Sequence, residues 1–223
     1  LIDAVLDCGT PVVLCCMAGS CMDLSPYADR AAAVIQTWYP GAEGGQVLAD
    51  ILAGKTAPSG KLPVTFYGGD YEIPDFTDYS LKNRTYRYVE QGVLYPFGYG
   101  LTYGRTEVIS AAYDSESKKV SYEIVNHSDR AVEETVQVYK KNRTSKWEVR
   151  NTVLCGFAKV CLAPGETRQG EIQLDEYAFT VVNDQGKRVQ DGSDYLLYVG
   201  THGPDKRSEE LTGTKAIALD IKF

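Results

Sequence analysis

Glu43 is the first residue in this chain whose type and setting could do chemistry. It follows a Pro-Gly break in the run Trp38-Tyr39-Pro40-Gly41-Ala42-Glu43-Gly44-Gly45, so a carboxylate lies close in sequence to two large aromatic rings. The rings could stack on a sugar, and Glu43 could face a sugar hydroxyl or brace a cleft. Both features also have ordinary uses. A carboxylate in the first turn of a helix is favoured by about 0.3–1 kcal/mol through the helix dipole, and a strand-end aromatic usually fills a core. A second cluster, Arg84, Tyr86 and Arg87, alternates along a stretch that reads as extended. Arg84 and Tyr86 would then share one side, facing a ligand or bracing a junction between domains.

Other candidates are weaker. Gly41, Gly44 and Gly45 are not spaced as a phosphate loop and instead suggest unusual dihedrals or close packing. His127 and His202 lie in turn-like settings without an evident acidic partner, and neither receives a role. Six cysteines include no CxxC pair, which argues against zinc. Cys15 and Cys16 are adjacent in a strand-like run, so their side chains should point to opposite faces. All six are expected to be free thiols in a reducing compartment, which favours a cytoplasmic over a secreted location. Sequons begin at Asn83, Asn126 and Asn142 and matter only in a glycosylating host. A net charge of −7 lacks the basic footprint of nucleic-acid binding. No apolar run approaches the ~20 residues needed to span a bilayer, so no membrane partner is expected.

The elements that must position these residues fall into two regimes. Residues 1–67 alternate helical and strand patterns: a helix end at 1–8, a buried strand at 12–17, a short helical turn within 23–30, a second strand within 31–39 and a helix over 43–53 closed by Gly54. Such alternation predicts an α/β unit with a mostly parallel sheet. The opening LIDAVLDCG has no initiator Met and reads as the tail of an amphipathic helix, so the chain is expected to be a piece of a longer protein. Residues 68–104, rich in Gly, Tyr, Asp and Pro, read as an ordered connection. From Arg105 the apolar period becomes 2, with strands expected over 108–113, 120–126, 134–140, 153–160, 167–174, 179–183, 195–201 and 216–221. Short strands at this spacing indicate an antiparallel sandwich over 105–223.

Several motifs together resemble glycoside hydrolase family 3, the β-glucosidase and β-xylosidase family, in its C-terminal portion. WYPGAEGG resembles the family's Pro-Gly-x-Glu-Gly-Gly loop, and TAPSGKLPVTFY its Pro-Ser-Gly-Lys/Arg-Leu-Pro segment. NRTYRY and LYPFGYGLTY resemble the approach to its last domain. ETVQVYKK, LCGFAKVCLAPGETRQGEIQL and QDGSDYLLYVG resemble its fibronectin type III-like module. The NRTYRY…LYPFGYG form is closer to xylosidase-type members.

The resemblance implies part of an α/β sandwich domain followed by a fibronectin type III-like sandwich. It implies a parent enzyme that hydrolyses β-linked glucosides or xylosides with retention and uses neither metal nor cofactor. Such enzymes use two carboxylates about 5–5.5 Å apart. The family's nucleophile is an Asp on a (β/α)8 barrel, and its acid/base is commonly a Glu upstream of the segment present here. Neither maps onto this chain, so no catalytic residue is assigned. Gly192-Ser193-Asp194-Tyr195 mimics the nucleophile motif but lies in the terminal sandwich, where a turn entering a strand explains it. Trp38, Glu43, Arg84 and Tyr86 are the substrate-binding candidates. Expected partners are a carbohydrate, the missing barrel with the remainder of the α/β domain, and, left open, further copies of the chain. The alternatives are a non-catalytic carbohydrate-binding or scaffolding module and a structural subunit of a split enzyme. Tyr95, Phe97, Tyr99, Leu101 and Tyr103 are expected to bury an interdomain surface.

Overall fold

A computed structural model describes residues 1–223. The chain begins with α1 (Ile2–Leu6), β1 (Val13–Cys16), α2 (Ser25–Ala28), β2 (Ala33–Gln36) and α3 (Gly44–Leu52). Pro26 lies in the first turn of α2, where its missing N–H leaves no helical bond unmade. Arg30 reaches Asp3 at 2.8 Å and Asp7 at 2.7 Å and so ties α1 to the turn after α2. β1 and β2 run parallel, from Val13 opposite Ala33 to Cys16 opposite Gln36.

That pair is all the parallel sheet there is; every other ladder is antiparallel. The expectation of a mostly parallel sheet is met only by these two strands. The next extended segment, β3 (Phe66–Tyr67), turns away from them and pairs antiparallel with β4 (Val93–Tyr95).

The stretch between β3 and β4 is held by local bonds. Tyr67 and Tyr71 stack at 3.9 Å, and the Tyr71 hydroxyl donates to the Asn83 carbonyl at 2.8 Å. Asp75 and Asp78 accept from the backbone two residues on, fixing consecutive turns. Arg84, Tyr86 and Arg87 do not alternate on an extended strand as expected, because Thr85–Tyr88 forms a single helical turn, α4.

The remaining elements are β5 (Thr106–Asp114), β6 (Lys119–Asn126), β7 (Val132–Asn142), β8 (Val153–Leu162), β9 (Thr167–Gln173), β10 (Val181–Val182), β11 (Arg188–Val189), β12 (Asp194–Gly200), α5 (Lys206–Thr212) and β13 (Ile217–Lys222). β5-β6-β9 form one sheet and β13-β12-β7-β8 the other; β10 and β11 make a small hairpin. The core between the sheets includes Val120, Ile124, Val136, Val138, Leu197 and Val199, all fully buried. Each such side chain contributes about 1.5–3 kcal/mol over its exposed state.

β7 is covered along nearly its whole length. Alternate residues of a strand face opposite sides. Val136 and Val138 fill the sandwich, while Gln137 and Tyr139 face the segment around β4. α5 has no counterpart in the period-2 pattern. Its signals are Asp205, whose carboxylate accepts from the Ser208 N–H at 2.9 Å, and Gly213 at its end.

Candidate functional site

The four candidate residues fall in three places. Trp38 and Glu43 lie just past the carboxyl end of β2. Ligands of open α/β sheets bind outside the carboxyl ends of their strands, and here the ends of β1 and β2 are locked together. The Thr37 N–H donates to the Cys16 carbonyl at 2.9 Å, and the Gln36 side chain donates to the Ala18 carbonyl at 2.7 Å. Trp38 has a φ of +54°. A bulky residue in that left-handed region is strained, and such strain gathers at functional sites. Its ring packs edge-on against Phe66 with centroids 6.2 Å apart, while Tyr39 is 82% exposed.

The glycines of this loop divide by cause. Gly41 has a φ of +71°. A Cβ on Gly44 would stand 2.5 Å from the Pro40 ring, so only glycine fits there. A Cβ on Gly45 would meet nothing within 4 Å, and neither steric reason accounts for it. Glu43 takes the N-cap position of α3 without a side-chain capping bond. It is exposed, and no hydrogen bond or ion pair within the chain uses its carboxylate.

Arg84 and Tyr86 diverge. The Arg84 guanidinium donates to the Asp75 carbonyl at 2.9 Å. The turn that carries it holds Leu81, Asn83 and Thr85 at φ of +59°, +55° and +55°, a second concentration of strain. Tyr86 points instead into the junction with the sandwich and stacks on Phe97 at 4.0 Å. Phe97 meets Tyr139 of β7 edge-on at 6.4 Å. Burial pushes the Tyr139 phenol well above its ordinary value, and its hydroxyl donates to Gln137, whose amide in turn donates to the carbonyls of Gly98 and Thr201. A cavity of about 410 Å³ opens here, lined by Tyr86, Phe97, Tyr139, Asn151, Asp205 and Arg207 among others.

Beside this junction the Leu62 N–H donates to Tyr99 and the Gly98 N–H to Leu62, both at 2.8 Å. The segments SGKLPVTF and YPFGYGLTY, distant in sequence, are therefore adjacent in space. Lys61 places its ammonium 2.8 Å from Glu134 of β7, with side chains only 12% and 4% exposed, and also donates to the Gly100 carbonyl. Thr106 donates to the other carboxylate oxygen of Glu134. Leu101 and Tyr103 depart from expectation: they are 60% and 37% exposed. The backbone on either side of Tyr99 is taken up by these bonds, and Leu101 follows on the outer side. Tyr103 spans to the Ile51 carbonyl at 2.7 Å.

Groups that could have formed another centre are engaged structurally. His127 does have an acidic partner, Glu107, at 3.2 Å, a pairing across β5 and the end of β6 that sequence separation hid. His202 is buried between Gly203 and Thr214. Asp194 of the Gly-Ser-Asp-Tyr motif is ion-paired with Arg143 at the start of β12. The six cysteines are free thiols, and no group of three or more His, Cys, Asp or Glu side chains is placed to hold a metal ion.

The model of the glycosyl hydrolase family 3 C-terminal domain matches residues 1–103, and that of the fibronectin type III-like domain matches residues 134–203. The chain belongs to glycosyl hydrolase family 3. It is 36% identical over 212 residues to a xylan 1,4-beta-xylosidase of Xylanibacter ruminicola, covering 92% of this chain and 24% of that protein. It is 31% identical over 218 residues to a periplasmic beta-glucosidase of Salmonella typhimurium, covering 90% of this chain and 28% of that protein. Its fold superposes on a beta-glucosidase from Kluyveromyces marxianus with a TM-score of 0.83 at 29% identity, covering 99% of this chain and 27% of that one. The family 3 chain thus spans about a quarter of the length of the curated relatives it matches.

Sequence reasoning missed the residues that build the family 3 junction: Lys61, Glu134, Gln137, Tyr139 and Asn151. Asn151 donates to the carbonyls of Tyr86 and Val89 at 2.9 and 2.8 Å. A polar residue among the apolar positions of β7 was the available signal, since burial of Glu134 requires a cation nearby.

Proposed function

We propose that this chain is the C-terminal part of a retaining β-glycosidase that releases terminal β-linked glucosyl or xylosyl units, and that it is inactive alone. The observation that carries the reading is the family 3 match, running from the α/β segment through the sandwich to relatives named β-xylosidase and β-glucosidase. Retaining hydrolysis needs a nucleophilic carboxylate and a second carboxyl group that protonates the leaving oxygen. The two most enclosed carboxylates here, Glu134 and Glu148, are each held by a lysine, at 2.8 Å from Lys61 and 2.7 Å from Lys140. Neither is free for that work. The chemistry belongs to the remainder of the parent protein, a barrel and the rest of the α/β domain, which in this reading completes the mostly parallel sheet beside β1 and β2.

Residues 1–67 act as part of that domain, 68–104 as the junction and 105–223 as a supporting sandwich. Trp38 and Glu43 face the substrate from the strand ends, Arg84 fixes the strained turn at the cleft margin, and Tyr86 braces the junction. Six free thiols fit a reducing compartment for the parent. The test is incubation of the chain with aryl β-glucoside and β-xyloside, alone and with the remainder supplied in trans. The expected outcome is no turnover alone and turnover on complementation. Turnover by the isolated chain, abolished by replacing one of its own carboxylates, overturns the reading.

A further inference from the structure

The loop joining β7 to β8 carries two polar atoms that the protein itself does not satisfy. The indole Nε1 of Trp147 and Oε1 of Glu148 are both shut from solvent, and neither has a hydrogen-bond partner. The Glu148 side chain is only 3% exposed, and its other oxygen accepts from Lys140, itself 6% exposed, at 2.7 Å. Leaving a buried donor and a charged acceptor unmatched is costly, so the arrangement asks for an occupant. Both residues line a cavity of about 360 Å³, separate from the one at the Phe97 junction. Its size lies within the range of small-molecule sites. Tyr177, 48% exposed, stands at its edge, with the Arg188 guanidinium over one ring face at 4.4 Å.

The backbone of the loop is held in place before any ligand arrives, so only the Trp147 and Glu148 side chains must turn for a ligand to reach the two atoms, which solvent does not touch as they stand. Ser145 accepts from the Trp147 N–H at 3.2 Å. Lys141 donates to the Arg150 carbonyl at 2.7 Å, and Asn151 clamps the loop to the α4 turn. Such support is what a binding site requires.

We infer that this cavity of the sandwich binds a neutral saccharide unit. The chemistry follows from the unmatched atoms. The indole N–H needs an acceptor and the carboxylate oxygen needs a donor; a hydroxyl group is both, and neighbouring hydroxyls on one ring serve both at once. An anion would meet Glu148 and Asp175, and a cation would meet Arg87, Lys140 and Arg188. A neutral polyol meets neither conflict, and the ring faces of Trp147 and Tyr177 opposite Lys146, 4.7 Å from the indole centroid, and Arg188 offer apolar surface to the C–H face of a sugar.

The chain has two tryptophans, Trp38 and Trp147, so two indole N–H signals in a nitrogen-15 correlation spectrum report on both proposed sites; Trp38→Phe assigns them. Titration with xylobiose or cellobiose is expected to shift the Trp147 signal saturably, with a Kd on the order of 1 mM, while glycerol does not. Trp147→Phe, read from the backbone amides of 145–149, should weaken binding about tenfold. Tyr177→Ala, at an exposed position that leaves the fold intact, should weaken it severalfold. A Trp147 signal unmoved by about 50 mM disaccharide, an equal response to glycerol, or undiminished binding by Trp147→Phe would each overturn the site and leave bound water as the partner of the two atoms. A shift of Trp38 alone would overturn this site while supporting the strand-end site of the glycosidase reading.

Discussion

Among the first 103 residues only Leu24, Gly44, Thr65, Phe66, Pro96 and Gly98 are buried. The sandwich, by contrast, closes a core of 17 residues between its two sheets. The difference does not come from a shortage of apolar side chains in the first region. Val13, Met17, Val47 and Leu52 are each at least 41% exposed there, and Ile73, Phe76 and Tyr79 at least 80%. These side chains stay at the surface instead of between two layers. One region completes its own core, and the other does not. What joins them is a belt of aromatic rings and one enclosed ion pair, so the sandwich can hold the α/β segment without sharing a continuous core with it.

The comparison breaks first at Lys61. Replacing Lys61 with Met strands Glu134 as a buried charge and should cost about 3–5 kcal/mol, measured by urea unfolding. Adding Glu134→Leu should recover much of that loss. A cost below about 1 kcal/mol would mean that the pair behaves as a surface bridge and the junction is open.

A paired truncation sharpens the contrast between the regions. Leu197→Ala, in the sandwich core with no exposure, should cost about 3 kcal/mol. Leu52→Ala, on the 51% exposed face of α3, should cost less than about 0.5 kcal/mol. Equal costs would show that the α/β segment is as well packed as the sandwich. Phe97→Ala lies between the two, because the ring is half-buried between Tyr86 and Tyr139; about 2 kcal/mol is expected.

The smallest effect is chemical. Burial pushes the Cys155 thiol up to about 12, whereas Cys8, Cys21 and Cys161 are exposed. A disulfide reagent near neutral pH should label the exposed three and spare Cys155 until the sandwich unfolds. Because the folded state favours the protonated thiol, its contribution to stability is complete below the ordinary thiol range. It is lost as pH rises from there toward 12. Cys155→Ala should flatten that part of the stability profile; labelling of Cys155 as fast as Cys161 would show that the sandwich opens locally.

Local patterns carried much of the fold. The period-2 runs from residue 105 announced the long strands, because each has one face on the core and the alternation is written into the chain itself. The Pro-Gly break fixed the start of α3. Helix α5 has local signals of its own in Asp205 and Gly213, but it stands among strands and breaks their period. The site was far less legible. Tyr86 reads the same on either side of a strand or a helical turn; only the turn at Thr85–Tyr88 sent it into the junction and parted it from Arg84.

The sequence by itself determined the order of the two regions, the antiparallel character of the second and the absence of a recognisable catalytic carboxylate motif. These depend on residue type and spacing over short distances, which the chain states directly. Only the tertiary structure decided that Lys61 would neutralise Glu134, that SGKLPVTF would lie along YPFGYGLTY, and that Trp147 and Glu148, each with an unmatched polar atom, would line one cavity. Each of those facts joins groups that backbone periodicity does not connect. Their meaning comes from burial, which makes an unpaired charge or hydrogen-bonding group expensive and so fixes which distant residues must meet.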